Sequence, residues 1–513
     1  MKFVFHASED LPKLSWCAVL HKEQSDIHIY HGPAVETSDG LFVEGVWDGD
    51  FDQFGFDKAE LFCGSGGKLI NDNSGAAGSE KVLFASPNHV LERLCSITCD
   101  DKIFISNSMP FALSLSCSDL DAQYHQYLED LCSIHKGING YVHTIPLKDS
   151  RRMDLHYFCN IIIDKELKLH TEKKLPAPPL TSYLDYYQNM LNLLERINKN
   201  ALADHRKIKY GKVTTISKGY DAVACAVMAR KIGCNTAVTF NRPEKYTNDS
   251  GEDIATLLGY ENVIMKNANE YRENESLVEA EYVASGELGT EIIFSAFDKE
   301  FADNIVFFGN RGDVFWNRHR GDYNDEFRFK ADYNYQTSHI EGRLRVGYVM
   351  LPLPFFRATQ WAAINKISNS PEMADYFSGN KYDRPIPRRI IEESGGIPRD
   401  MFALAKYGAG FTYSFDNLSR IKQKMSPVSY NSFVNYYKTH KRKGLRSIYY
   451  WSLYLKETTP HYINYFLEKT GLKFRFKYSG VFNTFNPGAP SYLFNWGIEE
   501  MKKRYQKVSL NGK

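Results

Sequence analysis

Short apolar stretches broken by turn residues fill roughly the first 115 positions. KFVFHA, CAVLH, IHIYHG, GLFVEGVWDGDFD, KVLFAS and KIFISNS are separated by clusters of Gly, Asn, Asp and Ser, a pattern that predicts a β-rich unit. Near Leu120 it changes to LDAQYHQYLEDLCSIHKGINGYVHTIPL, read as a helix, a glycine-containing turn and a strand. Three prolines in KLPAPPLTSY, residues 174–183, mark a boundary. Beyond it Leu184, Tyr187, Leu191, Leu194 and Ile197 recur at helical spacing and predict one apolar stripe, with Glu195, Arg196 and Lys199 on the other side. Four apolar runs follow, KVTTIS, NTAVTF, ENVIMK and NIVFFG, each separated by enough chain for a crossover helix. That alternation predicts a parallel sheet with helices on both faces. The remaining third, including YVMLPLPFFRATQWAAINKIS and RSIYYWSLYLKE, reads as mainly helical. The expected fold class is α/β, with a β-rich amino-terminal part.

At 513 residues the chain exceeds one ordinary core, and its 43% hydrophobic and 24% charged residues match a folded globular protein. No apolar run approaches the ~18 residues that span a bilayer. The opening MKFVFHASEDLPK meets acids before any signal-peptide core could form, so the expected location is the cytoplasm. Nine cysteines without a CxxC pair fit reduced thiols better than zinc or a disulfide framework. The net charge is only +1, yet residues 417–513 hold 18 Lys and Arg against 4 Asp and Glu. This basic, aromatic-rich end suggests an anionic partner: RNA, a polyanionic substrate or an anionic membrane surface.

The stretch VTTISKGYDAVACAVMARKIG, residues 213–233, runs a β-branched segment through Ser217, Lys218, Gly219, Tyr220 and Asp221 into a helix-like run. Ligands of open parallel sheets sit at the carboxyl ends of strands, where helix amides point outward with partial positive charge. Gly219 lets a phosphate approach the backbone, Ser217 offers a hydroxyl, Lys218 adds charge, and Asp221 suits Mg²⁺ rather than the phosphate itself. Helix capping by Ser217 and Asp221 is the plainer alternative.

This S-x-G-x-D string resembles the pyrophosphate loop of the ATP pyrophosphatases, usually S-G-G-x-D-S, with Lys218 and Ala222 as departures. NDSGEDIATLLGYENVI, with Glu252 and Asp253, IVFFGNRGDVFW and the pair LPLPFFRATQWAAINKIS and YDRPIPRRIIEESGGIPRDMFALAKYGAGF resemble, in order, further segments of the asparagine synthetase and β-lactam synthetase superfamily. The resemblance implies Asp221 and Asp313 as magnesium ligands, and Ile216, Ser217, Gly219, Tyr220, Asp221, Phe240, Gly309 and Gly312 around the nucleotide. It implies Lys406, Lys218 and Asn310 as the candidate catalytic residues. Asn310 stands where relatives place an acid or tyrosine and cannot act as a general base, while Arg311 and Val314 depart from the usual Gly and Glu.

FVEGVWDGDF and KIFISNSMPFALSL resemble the amino-terminal sandwich of the same enzymes, a glutaminase whose cysteine is residue 2. This chain reads Met1-Lys2, so the sandwich is expected to be a remnant without a nucleophile. The resemblance thus implies a glutaminase-like sandwich over residues 1–120, a connecting segment over 121–175, an ATP-binding domain over 180–415 and a basic helical extension over 416–513. The implied activity is an ATP- and Mg²⁺-dependent ligase that adenylates a small-molecule or peptide carboxylate with release of pyrophosphate and passes the acyl group to an amine or ammonia with release of AMP. A homodimer is expected by the same resemblance. Two alternatives stand beside it: adenylation of a nucleobase in RNA, and a non-catalytic nucleotide-binding scaffold.

Overall fold

The computed structural model describes residues 1–72, 79–241, 249–274, 276–319, 321, 323–329, 337–380, 382–403, 411–414, 416–470, 472, 474, 476 and 487–509. It is a mixed α/β structure built on three sheets. A seven-stranded sheet runs in the spatial order Lys2–Ala7, Asp26–His31, Trp16–His21, Lys102–Ser106, Leu94–Cys99, Arg152–His156 and Thr144–Pro146. A six-stranded antiparallel sheet runs Leu169–Lys173, Cys159–Ile163, Ser79–Ala85, Phe62–Asp72, Leu41–Trp47 and Glu36–Ser38. Residues 144–173, expected only to connect, therefore supply two strands to each sheet. The sheets stack face to face through Trp16, Ile27, Ile29 and Ile105 on one side and Phe42, Val82, Phe84 and Ile161 on the other. The Trp16 ring lies stacked 5.9 Å from Phe84.

The third sheet is entirely parallel and ordered Asn262–Asn267, Thr236–Asn241, Gly211–Thr215, Asn304–Phe308, Val349–Pro352. All four strands expected from the apolar runs are present. The fifth, Val349–Pro352, corrects the helical reading of YVMLPLPFFRATQWAAINKIS, whose helix begins only at Trp361. Three apolar residues followed by Pro, with a tyrosine before them, carry no period long enough to separate strand from helix. In Asn304–Phe308, Ile305 and Phe307 enter one core while Val306 and Phe308 enter another, so both faces of the sheet are covered.

On one face lies the Tyr183–Ala201 helix. Ser182 caps it by accepting from the Asp185 amide. Its buried stripe is Tyr183, Tyr186, Met190, Leu193, Leu194 and Ile197, whereas Leu184 is exposed. The expected stripe is thus rotated: the sequence offers two adjacent apolar rows, and the row bearing Tyr186, whose hydroxyl accepts from the Trp316 indole at 3.0 Å, takes the core.

The opposite face is closed by elements far apart in the chain. The Leu493–Ser509 helix packs on Met109–Leu115 and on Val278–Ala284. The Phe111 and Tyr505 rings stack at 4.4 Å, and Lys502 donates to the Ser118 carbonyl at 2.7 Å across 384 residues of sequence. Beneath them Glu341 is buried and accepts from Ser108 at 2.9 Å and Tyr505 at 3.1 Å. Burial raises the Glu341 carboxyl from 4.5 to about 7, the two hydrogen bonds opposing it. The folded state therefore holds this proton more tightly than the unfolded chain. The resulting stability is fully present below pH 4.5 and is lost as pH rises to about 7. Glu341→Gln should abolish that decline, worth up to about 3 kcal/mol, in denaturation midpoints measured across the interval.

Candidate functional site

The strand order places Gly211–Thr215 between Thr236–Asn241 and Asn304–Phe308, so chain direction across the sheet reverses there. Loops leaving Gly211–Thr215 and Asn304–Phe308 consequently flank one crevice at the strand ends, the usual ligand position in open α/β sheets. The first loop starts from Ile216, buried, with its amide donating to the Val238 carbonyl at 2.9 Å. Ser217 bridges to Ser250, and its hydroxyl accepts the Gly219 amide at 3.2 Å. Gly219 then caps the Tyr220–Lys231 helix.

The glycines differ in purpose. At Gly219 φ is −81°, and an added Cβ would find only ordinary contacts, Ser217 Oγ at 3.5 Å and Tyr382 Oη at 3.9 Å. Nothing inside the protein requires glycine there, which leaves the open side of the loop as its place of use. At Gly309 a Cβ would strike the Asp221 backbone at 2.9 Å, and at Gly312 it would lie 2.3 Å from the Asp221 carboxyl carbon. Those two glycines let the second loop press against Asp221; the structure assigns them a packing role beside the nucleotide role implied by resemblance.

The two loops meet at a residue outside the sequence-based set. Arg384 is buried and forms an ion pair with Asp221 Oδ2. Burial works against its charge, yet Asp221, Tyr382 and Asp313 together outweigh it and raise its pKa. Asp221 and Asp313, 92 positions apart in sequence, therefore act on one guanidinium. Arg384, just before the Pro385–Arg389 helix, and Arg388 within it are four apart and turn to the same side. Arg384 lies 4.8 Å from the Tyr382 ring, and Arg388 lies 5.3 Å from the Tyr220 ring and donates to its hydroxyl. Tyr220 is fully buried under this arginine, so its side chain is a packing group.

Magnesium takes one or two carboxylates together with phosphate oxygens and water. Among the described residues no cluster of three or more His, Cys, Asp or Glu could hold a metal by itself. Asp221 and Asp313, both half-buried, fit a metal shared with a triphosphate, provided that Arg384 yields a carboxylate oxygen.

The other expected residues are placed elsewhere. The Lys218 ammonium lies 3.1 Å from Asp253 at the start of the Glu252–Leu257 helix. Phe240 packs between Phe294 and Phe297, at 5.4 and 4.9 Å. Asn310 is buried and donates to Glu291 Oε1 at 3.1 Å; Glu291 Oε2 lies 3.0 Å from His339 Nε2, and His339 Nδ1 meets the Tyr348 hydroxyl at 2.8 Å. This buried Asn–Glu–His–Tyr chain had no sequence signal, because its members come from four separate segments. Lys406 lies outside the described residues. A groove of about 970 Å³ opens elsewhere, lined by residues such as Lys148, Arg152, Tyr436 and Glu499, and shares no lining residue with the crevice.

The chain matches no family model and no curated protein. Among solved structures, glutamine-dependent NAD+ synthetase from Acinetobacter baumannii in complex with ADP is 14% identical with a TM-score of 0.20, covering 59% of this chain. The chain spans about half of that protein, 53% of its length. At that TM-score the likeness bears on neither fold nor chemistry. No helix among the described residues is long and apolar enough to cross a membrane.

Proposed function

We propose that the chain is an ATP-dependent enzyme that adenylates a carboxylate, releases pyrophosphate and transfers the acyl group to an amine, which displaces AMP. The observation that carries this reading is the pairing of Asp221 with Arg384, a guanidinium whose charge Asp313 also favours, at the point where the strand order of the parallel sheet reverses. In it, the Ser217–Gly219 loop and the amides opening the Tyr220–Lys231 helix grip the phosphates. Asp221 and Asp313 would hold magnesium, which supplies charge neutralisation at the departing pyrophosphate. Arg384, freed from one carboxylate oxygen, then faces the same phosphates as a fixed cation. The two front sheets take the part of the glutaminase-like sandwich.

One observation favours a second reading, a nucleotide-binding scaffold without turnover. Arg384 already pairs with Asp221, an acid that a metal would need. Calorimetry with ATP, in magnesium and in EDTA, together with pyrophosphate release over a panel of carboxylates and amines, separates the readings. The enzyme should bind ATP only with magnesium and release pyrophosphate with at least one carboxylate. ATP binding without release with any acceptor, whether or not magnesium is present, favours the scaffold, and no affinity for ATP rejects both.

A further inference from the structure

The Gly444–Lys469 helix, 26 residues long, meets the body on the side that carries Arg446 and Tyr450. There Arg446 donates to the Ala122 carbonyl and the Tyr450 hydroxyl to the Gln123 carbonyl, both at 2.8 Å, and Tyr450 is buried. Arg446 and Tyr450 are four apart and share that side. The other side carries Leu445, Ile448, Trp451, Leu455, Ile463 and Phe466, with Leu445 85% and Phe466 66% exposed. Their spacing of three, four or eight places them on one face. A contiguous apolar face of this size is rare on a soluble monomer and marks a surface that something covers.

Charge decides what covers it. The approach to the helix reads Lys438, Lys441, Arg442, Lys443, Arg446, without one acid from position 438 to 446. Arg442 is occupied, stacking 4.0 Å over Tyr450 and donating to Ser491, but Lys438, Lys441 and Lys443 are exposed. A second copy of the helix is disfavoured. In a parallel pair this basic run would face itself. Nucleic acid would use the cations and aromatic rings, but Leu445, Ile448, Leu455 and Ile463 offer bases nothing to stack on. An anionic bilayer surface accepts all of them: aliphatic and aromatic side chains at the acyl boundary, ammonium groups on the headgroups.

We propose that the Gly444–Lys469 helix is an interfacial anchor that lies in the surface of an anionic lipid bilayer through its Leu445, Ile448, Leu455 and Phe466 face. This anchoring is independent of the ATP chemistry. Lys438, Lys441 and Lys443 bind headgroup phosphates beside it.

The full chain should float with phosphatidylcholine vesicles containing phosphatidylserine and remain behind with phosphatidylcholine alone. Ile448→Glu with Leu455→Glu, both at exposed positions, should abolish flotation without changing the denaturation midpoint. Replacing the three lysines by glutamate should weaken it about a hundredfold, roughly fivefold for each. The chain has 6 tryptophans. Trp16, Trp47, Trp316, Trp361 and Trp496 are fully buried, and Trp451 is 46% exposed. A blue shift of emission on adding anionic vesicles should therefore vanish in Trp451→Phe. Failure to float with anionic vesicles would overturn the proposal. So would RNA binding in its place, or a concentration-dependent dimer that the paired glutamate substitutions dissolve.

Discussion

Gly312→Ala should reduce ATP-dependent pyrophosphate release on the order of a hundredfold, the effect of losing one preorganised charged group. The added methyl would sit 2.3 Å from both Cγ and Oδ1 of Asp221, so the carboxylate must leave Arg384 or the second loop must back away. Overpacking of this kind also costs about 1–3 kcal/mol of stability. Gly219→Ala provides the contrast. The protein itself leaves room for that methyl, so the denaturation midpoint should hold while the affinity for ATP falls, because the methyl occupies the side from which a phosphate arrives. Full activity in Gly312→Ala would show that Asp221 does no work in the reaction.

Arg343→Met is expected to destabilise the fold by about 3–5 kcal/mol in chemical denaturation. Arg343 belongs to the Ile340–Val346 helix, yet its guanidinium is buried and binds Glu44 at 2.9 and 3.0 Å and Glu92 at 2.7 Å. Glu44 lies in the six-stranded sheet, while Glu92 lies in the segment leading to the seven-stranded one. Methionine would leave two carboxylates in a space without water. Adding Glu44→Gln and Glu92→Gln to the same chain should restore most of the loss, since the amides retain hydrogen bonds such as that from Ser65 to Glu44, now 2.7 Å. If the triple variant were no more stable than Arg343→Met, unpaired charge would not be the cause.

The amino-acid pattern carried the parallel sheet well because each of its first four strands is a short β-branched or aromatic run between polar turns. It carried the location of the loop containing Ser217 and Asp221 for the same reason: a strand ends, small and polar residues intervene, and a helix starts. It could not reveal Arg384. Three arginines stand at positions 384, 388 and 389, and only the fold shows that the first reaches Asp221 while Arg389 turns outward to Glu393 at 3.0 Å. Nor could it distinguish the glycines, since a residue needed for close packing and one left free for a ligand are spelled alike. The contacts of Asn310 with Glu291, and of Glu291 with His339, depend on tertiary neighbours that no local spacing encodes.

The Leu493–Ser509 helix has a consequence for biosynthesis. Its partners around Phe111 and Glu281 emerge from the ribosome long before Tyr505 and Arg504, which stack on the first and pair with the second. Until then the nascent chain holds an open apolar seam and, at Glu281, a buried acid with Arg345 but not yet Arg504 beside it, a state that invites chaperones and delays completion of this core until that helix has been made.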